Sequence, residues 1–353
     1  MRFYSGMLRG HWSLVIWILL SGVLTGCLSS SQEATLTAPG SPPQVWPPPP
    51  HRPRIRFVKV LARPEDLGIQ PSFWQRVGEV FAGKEEAWFV RPTGVAADGG
   101  VVYVADAGAQ ALWVLDARAG RFQRFRDAGG PRLVSPVAVA AGKNGQVFLA
   151  DSYLARVFVY DAGGKLTGSI AGPDLRRPTG LAYDAGRDRL YVADSASHRV
   201  WIFGGDGSLR GALGRRGTGE GEFNFPTHVA LDREGTLYVT DSLNFRVQLI
   251  RPDGSVAGRL GRHGDSSGDF AAPKGISLDA DGHIYVVDGL FDAVQIFDRR
   301  GRYLLTFGER GIAPGQFWLP NGLFIDGRNQ IYVADAFNQR IQIFEYLGGG
   351  DDE

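Results

Sequence analysis

Residues 331–335 read Ile331-Tyr332-Val333-Ala334-Asp335, the sixth occurrence of one short phrase. Tyr103 to Asp106 reads YVAD, Phe148 to Asp151 FLAD, Tyr191 to Asp194 YVAD, Tyr238 to Asp241 YVTD and Tyr285 to Asp288 YVVD. The closing aspartates, Asp106, Asp151, Asp194, Asp241, Asp288 and Asp335, are spaced by 45, 43, 47, 47 and 47 residues. Aromatic and β-branched runs suit strands. A strand that returns at this period marks a β-propeller, one four-stranded blade per repeat. Six phrases predict six blades in an all-β chain.

Each complete repeat reads as four strands, A to D. In the fourth these are Val229 to Asp232, Leu237 to Thr240, Val247 to Ile250 and Val256 to Leu260. Asn144, Gly145 and Gly235 suit the A–B turns, and Asp206-Gly207 and Asp253-Gly254 the C–D turns, where positive φ is needed. The sixth repeat supplies A (Leu323 to Asp326), B (Ile331 to Ala334) and C (Ile341 to Phe344), then runs into Gly348-Gly349-Gly350 with no strand D. Ile55 to Leu61 (IRFVKVL) alternates as a strand yet lies outside any repeat. It is expected to be the outer strand of the last blade, closing the ring over an otherwise open edge. Between it and blade one, Pro71 to Gly83 places Phe73, Val77, Val80 and Phe81 at helical spacing, which predicts a short helical insertion.

The N-terminal part has a different composition. Arg2 and Arg9 precede an apolar run from Ser13 to Val23, and Leu24-Thr25-Gly26 leads into Cys27, the only cysteine of the 353 residues. The L-T-G-C arrangement resembles the bacterial lipobox, which implies cleavage before Cys27 and lipidation of its thiol. Leu28 in the next position favours, by analogy, the outer membrane, facing the periplasm or the cell surface. Leu28 to Arg54, with Pro42, Pro43, Pro47 to Pro50 and Pro53, reads as an extended tether that sets the domain tens of ångströms from the membrane, at about 3.1 Å per residue. The expected organisation is a signal peptide at 1–26, tether at 27–54, closing strand at 55–62, helical insertion at 63–90, propeller at 91–346 and acidic tail at 347–353.

A single cysteine excludes an intrachain disulfide and a Cys-rich zinc module. Lys plus Arg (38) nearly balances Asp plus Glu (37), so no basic field points to nucleic acid. No nucleophile elbow, phosphate-cradling loop or H-E-x-x-H element is present, and no cofactor is expected.

Three connections between blades are related: GRRGTGEGEFNFP (214–226), GRHGDSSGDFAAP (261–273) and GERGIAPGQFWLP (308–320). With the D-S-x-N-x-R-V-Q element of Asp241 to Gln248 and its echo at Asp335 to Gln342, they resemble the NHL repeat, over about residues 85–346. The resemblance implies a six-bladed NHL propeller. It also implies a protein or RNA partner, or, as in a minority of that family, a metal-dependent enzyme. RING-type ubiquitin ligation is excluded by the cysteine count.

An acid recurring in every blade is better explained by architecture than by catalysis. Five residues past the aspartate, blades two, three, four and six carry Arg156, Arg199, Arg246 and Arg340, which predicts structural pairs with Asp151, Asp194, Asp241 and Asp335. Positions that differ between blades carry more functional information. Two past each aspartate lie Gly108, Tyr153, Ala196, Leu243, Leu290 and Phe337, with Phe245 and Phe291 beside them. Large apolar residues in loops of one face are candidates for a partner-binding surface. At the second position of strand A the blades have Gly94, Ala138, Gly180, His228, Gly275 and Gly322. Only His228 projects a functional group there, and it is a candidate to hydrogen-bond a ligand in the channel. Peptide-amidating lyases of NHL type bind zinc through three histidines at equivalent places. His198, His228 and His263 are not equivalent, so no metal is expected, and His283 belongs to the opposite face. The sequence thus reads as a membrane-anchored, extracytoplasmic, monomeric binding scaffold for a protein, envelope component or small ligand. A metal-dependent lyase or lactonase at the channel mouth is the alternative.

Overall fold

The computed structural model describes residues 44–70, 88–127, 131–172 and 174–348. They form six antiparallel sheets, five of four strands and one of five. Blade four is typical: Pro226–Leu231, Leu237–Asp241, Arg246–Ile250 and Val256–Leu260 pair in sequence order. The turn residues behave as their chemistry dictates. Asn144, Gly145, Gly207, Gly235 and Gly254 all have positive φ, and the Asp253 carboxylate accepts the Ser255 N–H at 2.9 Å.

The last sheet is composite. Ile55–Leu61 pairs antiparallel with Arg340–Tyr346, from Ile55 opposite Tyr346 to Leu61 opposite Ile341. Its Ile55 and Leu61 are fully buried. The chain also joins this sheet earlier than the prolines suggest. Val45–Trp46 pairs with Ile55 and Arg56 as a fifth strand, and the Trp46 ring meets Phe307 and Phe344 at 5.8 and 5.7 Å. The end of the expected tether is therefore part of the fold, because one tryptophan in reach of two phenylalanines outweighs the proline-rich composition around it. The expected helix at 71–83 lies outside the described residues. Around it, Pro64–Leu67 forms a single 3₁₀ turn, and Ile69 and Phe89 are buried against blades one and six.

Six apolar clusters hold the ring, one at each junction between neighbouring blades. Among the described residues no cluster lies at the centre. Strands A surround the axis, and the space they enclose is a channel of about 520 Å³ lined largely by Gly, Ala, Val, Leu and Ile. The strands approach so closely that the second position has little room. A Cβ on Gly180 would lie 2.5 Å from the Thr227 carbonyl oxygen and 2.7 Å from the His228 Cα.

Candidate functional site

The B–C and D–A connections share one face of the propeller. All six motif aspartates are fully buried beneath it, and their common task is to accept backbone N–H groups from the D–A connection. Asp106 takes Val90 and Arg91, Asp151 takes Val134 and Ser135, Asp194 takes Arg176 and Arg177. Asp241 takes Asn224, Asp288 takes Ala271 and Ala272, and Asp335 takes Trp318. Each carboxylate thereby fastens the entry of its blade to the B–C turn, using charge-assisted hydrogen bonds in a buried setting.

The arginines divide. Arg246 donates through Nε to Asp241 at 2.8 Å and Arg340 to Asp335 at 2.8 Å. The rest of each guanidinium is taken by the preceding D–A connection: Arg246 reaches the carbonyls of Thr218, Gly219 and Glu222, and Arg340 those of Ile312, Ala313 and Gln316. Asn244 and Gln248, like Asn338 and Gln342, bind the same aspartate and the same connection. Among the described residues Arg156 and Arg199 make no such pair, which corrects the expectation for blades two and three. Asp151 there spends its second oxygen on the Tyr153 and Leu154 N–H groups, and Arg199 lies over the Trp201 ring instead. The physical reason is length. The connections before these blades, 126–135 and 171–177, are shorter than the 214–225 connection whose carbonyls receive the Arg246 fork.

Above this layer, the large apolar side chains of the B–C loops stand in solvent: Tyr153 is 75% exposed, Leu243 50%, Leu290 65% and Phe337 49%. The D–A connection of blade six adds Ile312 (74%) and Trp318 (41%), and the Trp318 and Phe337 rings lie 5.7 Å apart. Among the described residues, seven of the eleven exposed large apolar side chains belong to this face once Val90 is included, a concentration that singles it out. Five of them form an arc over blades four to six. Tyr153 stands apart at blade two, because blades one and three offer only Gly108 and Ala196 at that position. Phe291 is half-buried. Phe245 packs on His263 at 4.3 Å and on the blade four–five core, so it supports the arc more than it presents a contact. Sequence reading passed over Trp318 and Ile312, which sit inside what looked like a linker motif. It also gave no sign of the left-handed backbone of one residue in each B–C turn, Gln110, Ala155, His198, Phe245, Asp292 and Gln339, all at φ 51–58°. Neither glycine nor asparagine occupies that position, so no local signal marks it.

The histidines do not converge. His198 accepts the Phe225 N–H through Nδ1 at 3.2 Å, His263 is held by Phe245, and His283 pairs with Asp279 at the opposite end. Among the described residues no three His, Cys, Asp or Glu side chains are grouped to hold a metal ion.

His228 borders the channel. Its Nδ1 is buried and has no hydrogen-bond partner within the protein. Burial, then the nearby Lys274 cation, push its pKa down to about 3, against a smaller opposing effect from Asn321. The ring is therefore neutral at physiological pH. Lys274 in turn is held below the ordinary lysine range by burial and by Arg177, with Asp288 opposing. Sequence reading gave Lys274 and Asn321 no role. The available signal was positional: where Thr93, Val137, Thr179 and Thr227 follow the proline of strand A, blades five and six have Lys274 and Asn321.

The fold and the repeat chemistry define the class: this is a six-bladed β-propeller of NHL type. Residues 175–203, in the third blade, match the family described as NHL repeat, and residues 272–349, blades five and six, match the family described as 6-bladed beta-propeller. No curated protein matches the chain. Among solved structures it is similar to a protein of unknown function from Bacteroides thetaiotaomicron VPI-5482, with 20% identity over 74% of this chain and 70% of the other and a TM-score of 0.58. It is similar to virginiamycin B lyase from Staphylococcus aureus, with 13% identity over 73% and 96% and a TM-score of 0.56. It is also similar to a chain of a nidogen/laminin complex, with 19% identity over 62% and 80% and a TM-score of 0.50. These likenesses are of fold. One scaffold here serves a lyase and a protein complex, so function must be argued from the site.

Proposed function

We propose that the protein is a lipid-anchored, extracytoplasmic binding module whose loop face captures a protein partner. The observation that carries this is the arc of exposed apolar side chains, Leu243, Leu290, Ile312, Trp318 and Phe337, held on a rigid layer of buried aspartates. Aromatic and aliphatic groups on a fixed frame lose little conformational entropy on binding and suit the centre of a protein interface. The anchor is assigned to Cys27 through the L-T-G-C arrangement, and the outer membrane to Leu28. Among the described residues no helix is long and apolar enough to cross a membrane. Labelling with radioactive palmitate, lost in Cys27→Ser, tests the anchor. A photocrosslinker at position 290 or 337 of the full-length protein in its own membrane is expected to trap a discrete species, whereas one at Leu209, exposed on the outer strand of blade three, is not. Equal labelling from both places refutes the face.

The second reading, a metal-dependent lyase or lactonase, draws on the free nitrogen of His228 in the channel and on the fold shared with virginiamycin B lyase. Elemental analysis of protein purified without chelator separates the two. Stoichiometric metal that disappears in His228→Ala favours the enzyme.

A further inference from the structure

The geometry points to a second binding site, independent of the loop-face arc: the channel mouth takes an organic acid, its carboxylate held at the rim by Lys274 and Arg177 and its apolar body lodged in the channel beside His228. The four polar residues come from consecutive blades. Arg177 precedes strand A of blade three, His228 lies in strand A of blade four, and Lys274 and Asn321 open blades five and six. The pairing brings their starts together. His228 lies opposite Thr240 in the register that places Gly180 opposite Ala193. A Cβ on Gly180 would run into the next blade at Thr227 and His228, so the equivalent Cβ of His228 is directed at Lys274 and Gly275. Gly275 has no side chain to obstruct the imidazole. In the other blades this position is Gly or Ala. A histidine here fills space that the ring otherwise keeps small, and its buried Nδ1 makes no hydrogen bond within the protein.

The surroundings specify the ligand's chemistry. Lys274 and Arg177 make no ion pair among the described residues. Asp288, the acid that acts on Lys274, already accepts the N–H groups of Ala271, Ala272, Leu290 and Phe291. Arg177, His228 and Lys274 thus stand at the same end of strands A in three consecutive blades, two cations and a neutral imidazole without a dedicated anion, and a carboxylate supplies one through charge-assisted hydrogen bonds. Along strands A the wall is largely apolar: Val95, Val139, Leu181, Val229 and Ile276 line the channel, with Asp98, Tyr183 and Ser277 the polar exceptions beyond His228. About 520 Å³ accommodates a ligand of modest size. An apolar wall with a cationic rim selects an amphiphile with a single acidic head over a polyanion such as a nucleotide.

Phenylpropanoate and its neutral isostere phenylpropanamide test this on the full-length protein, by saturation-transfer NMR and calorimetry. The acid is expected to bind at least ~10-fold more tightly than the amide. Lys274→Gln should erase that ratio and Arg177→Gln reduce it several-fold. His228→Gly restores the residue of the neighbouring blades, so it should fold and weaken the acid. The loop-face variant Leu290→Ser/Trp318→Ser/Phe337→Ser should bind the acid as the wild type does, which keeps failure of this site distinct from failure of the protein-binding face. N-acetyl-Ala-Ala-Phe with a free or amidated terminus identifies the source. Competition by the free-acid form assigns the carboxylate to a chain end, and no competition to a free small acid. Equal affinity for acid and amide, no saturation by either, or an unchanged ratio in a folded Lys274→Gln protein overturns the proposal.

Discussion

Arg340 and Arg156 occupy the same place in the repeat, and their replacement by alanine should have very different effects. The Arg340 side chain is 8% exposed and Asp335 is fully buried. Its guanidinium serves Asp335 and the carbonyls of Ile312, Ala313 and Gln316, each at 2.8 Å. Truncation leaves a buried carboxylate short of its cation and removes a donor from three carbonyls, of which, among the described residues, Ala313 and Gln316 keep another donor and Ile312 does not. Breaking a buried pair by removing one partner costs about 3–5 kcal/mol. In a domain of this size that lowers Tm by roughly 5–10 °C. Arg156 has no such partners, and Arg156→Ala should stay within ~0.5 kcal/mol. Arg340→Lys should fall between, since one ammonium cannot span three carbonyls fixed in a fork. Burial already raises the Asp335 pKa, and the Trp318 N–H, Asn338 and Arg340 oppose it. Losing Arg340 raises it further, so the variant's folded state binds a proton more readily than its unfolded state. The Arg340→Ala penalty should therefore shrink on going from about pH 8 to about pH 5. Guanidinium titration followed by tryptophan fluorescence at both pH values measures it. Equal losses for Arg340→Ala and Arg156→Ala refute the idea that the long D–A connection, and not the repeat position, gives the arginine its weight.

Deleting residues 44–61 removes both extra strands of the last sheet and should abolish or sharply lower cooperative melting in calorimetry; an unchanged transition contradicts closure through this pairing. Trp46→Ala removes ring contacts with Phe307 and Phe344 from a half-buried site and should cost about 1–3 kcal/mol by chemical denaturation. His228 has a folded pKa of about 3, below its ordinary value of 6.5. The unfolded state therefore binds a proton first as pH falls, and stability is lost between about pH 6.5 and 3, by up to roughly 4 kcal/mol. His228→Gly should flatten that part of the stability–pH curve, and an unaltered slope shows that His228 is already protonated or solvated in the fold.

The sequence by itself determined the number of blades, their strands and the special character of the last one. A strand phrase at fixed period, turn residues with positive φ and a repeat lacking its fourth strand are all local features, each legible within a few residues. The exposure of Tyr153, Leu243, Leu290 and Phe337 follows from comparing one position across blades, which a period makes possible. Only the tertiary structure decided what meets across blades. Whether Arg156 or Arg340 finds a carbonyl cluster depends on the length and path of the preceding connection. That the aspartates bind backbone N–H groups could not be read, because a backbone N–H has no sequence signature. Trp318 meets Phe337 through the fold of blade six, whereas Lys274, Arg177 and Asn321 gather near His228 only when six similar units close into a ring. Closure brings together strand starts 46 or more residues apart in the chain, and no local pattern encodes that distance.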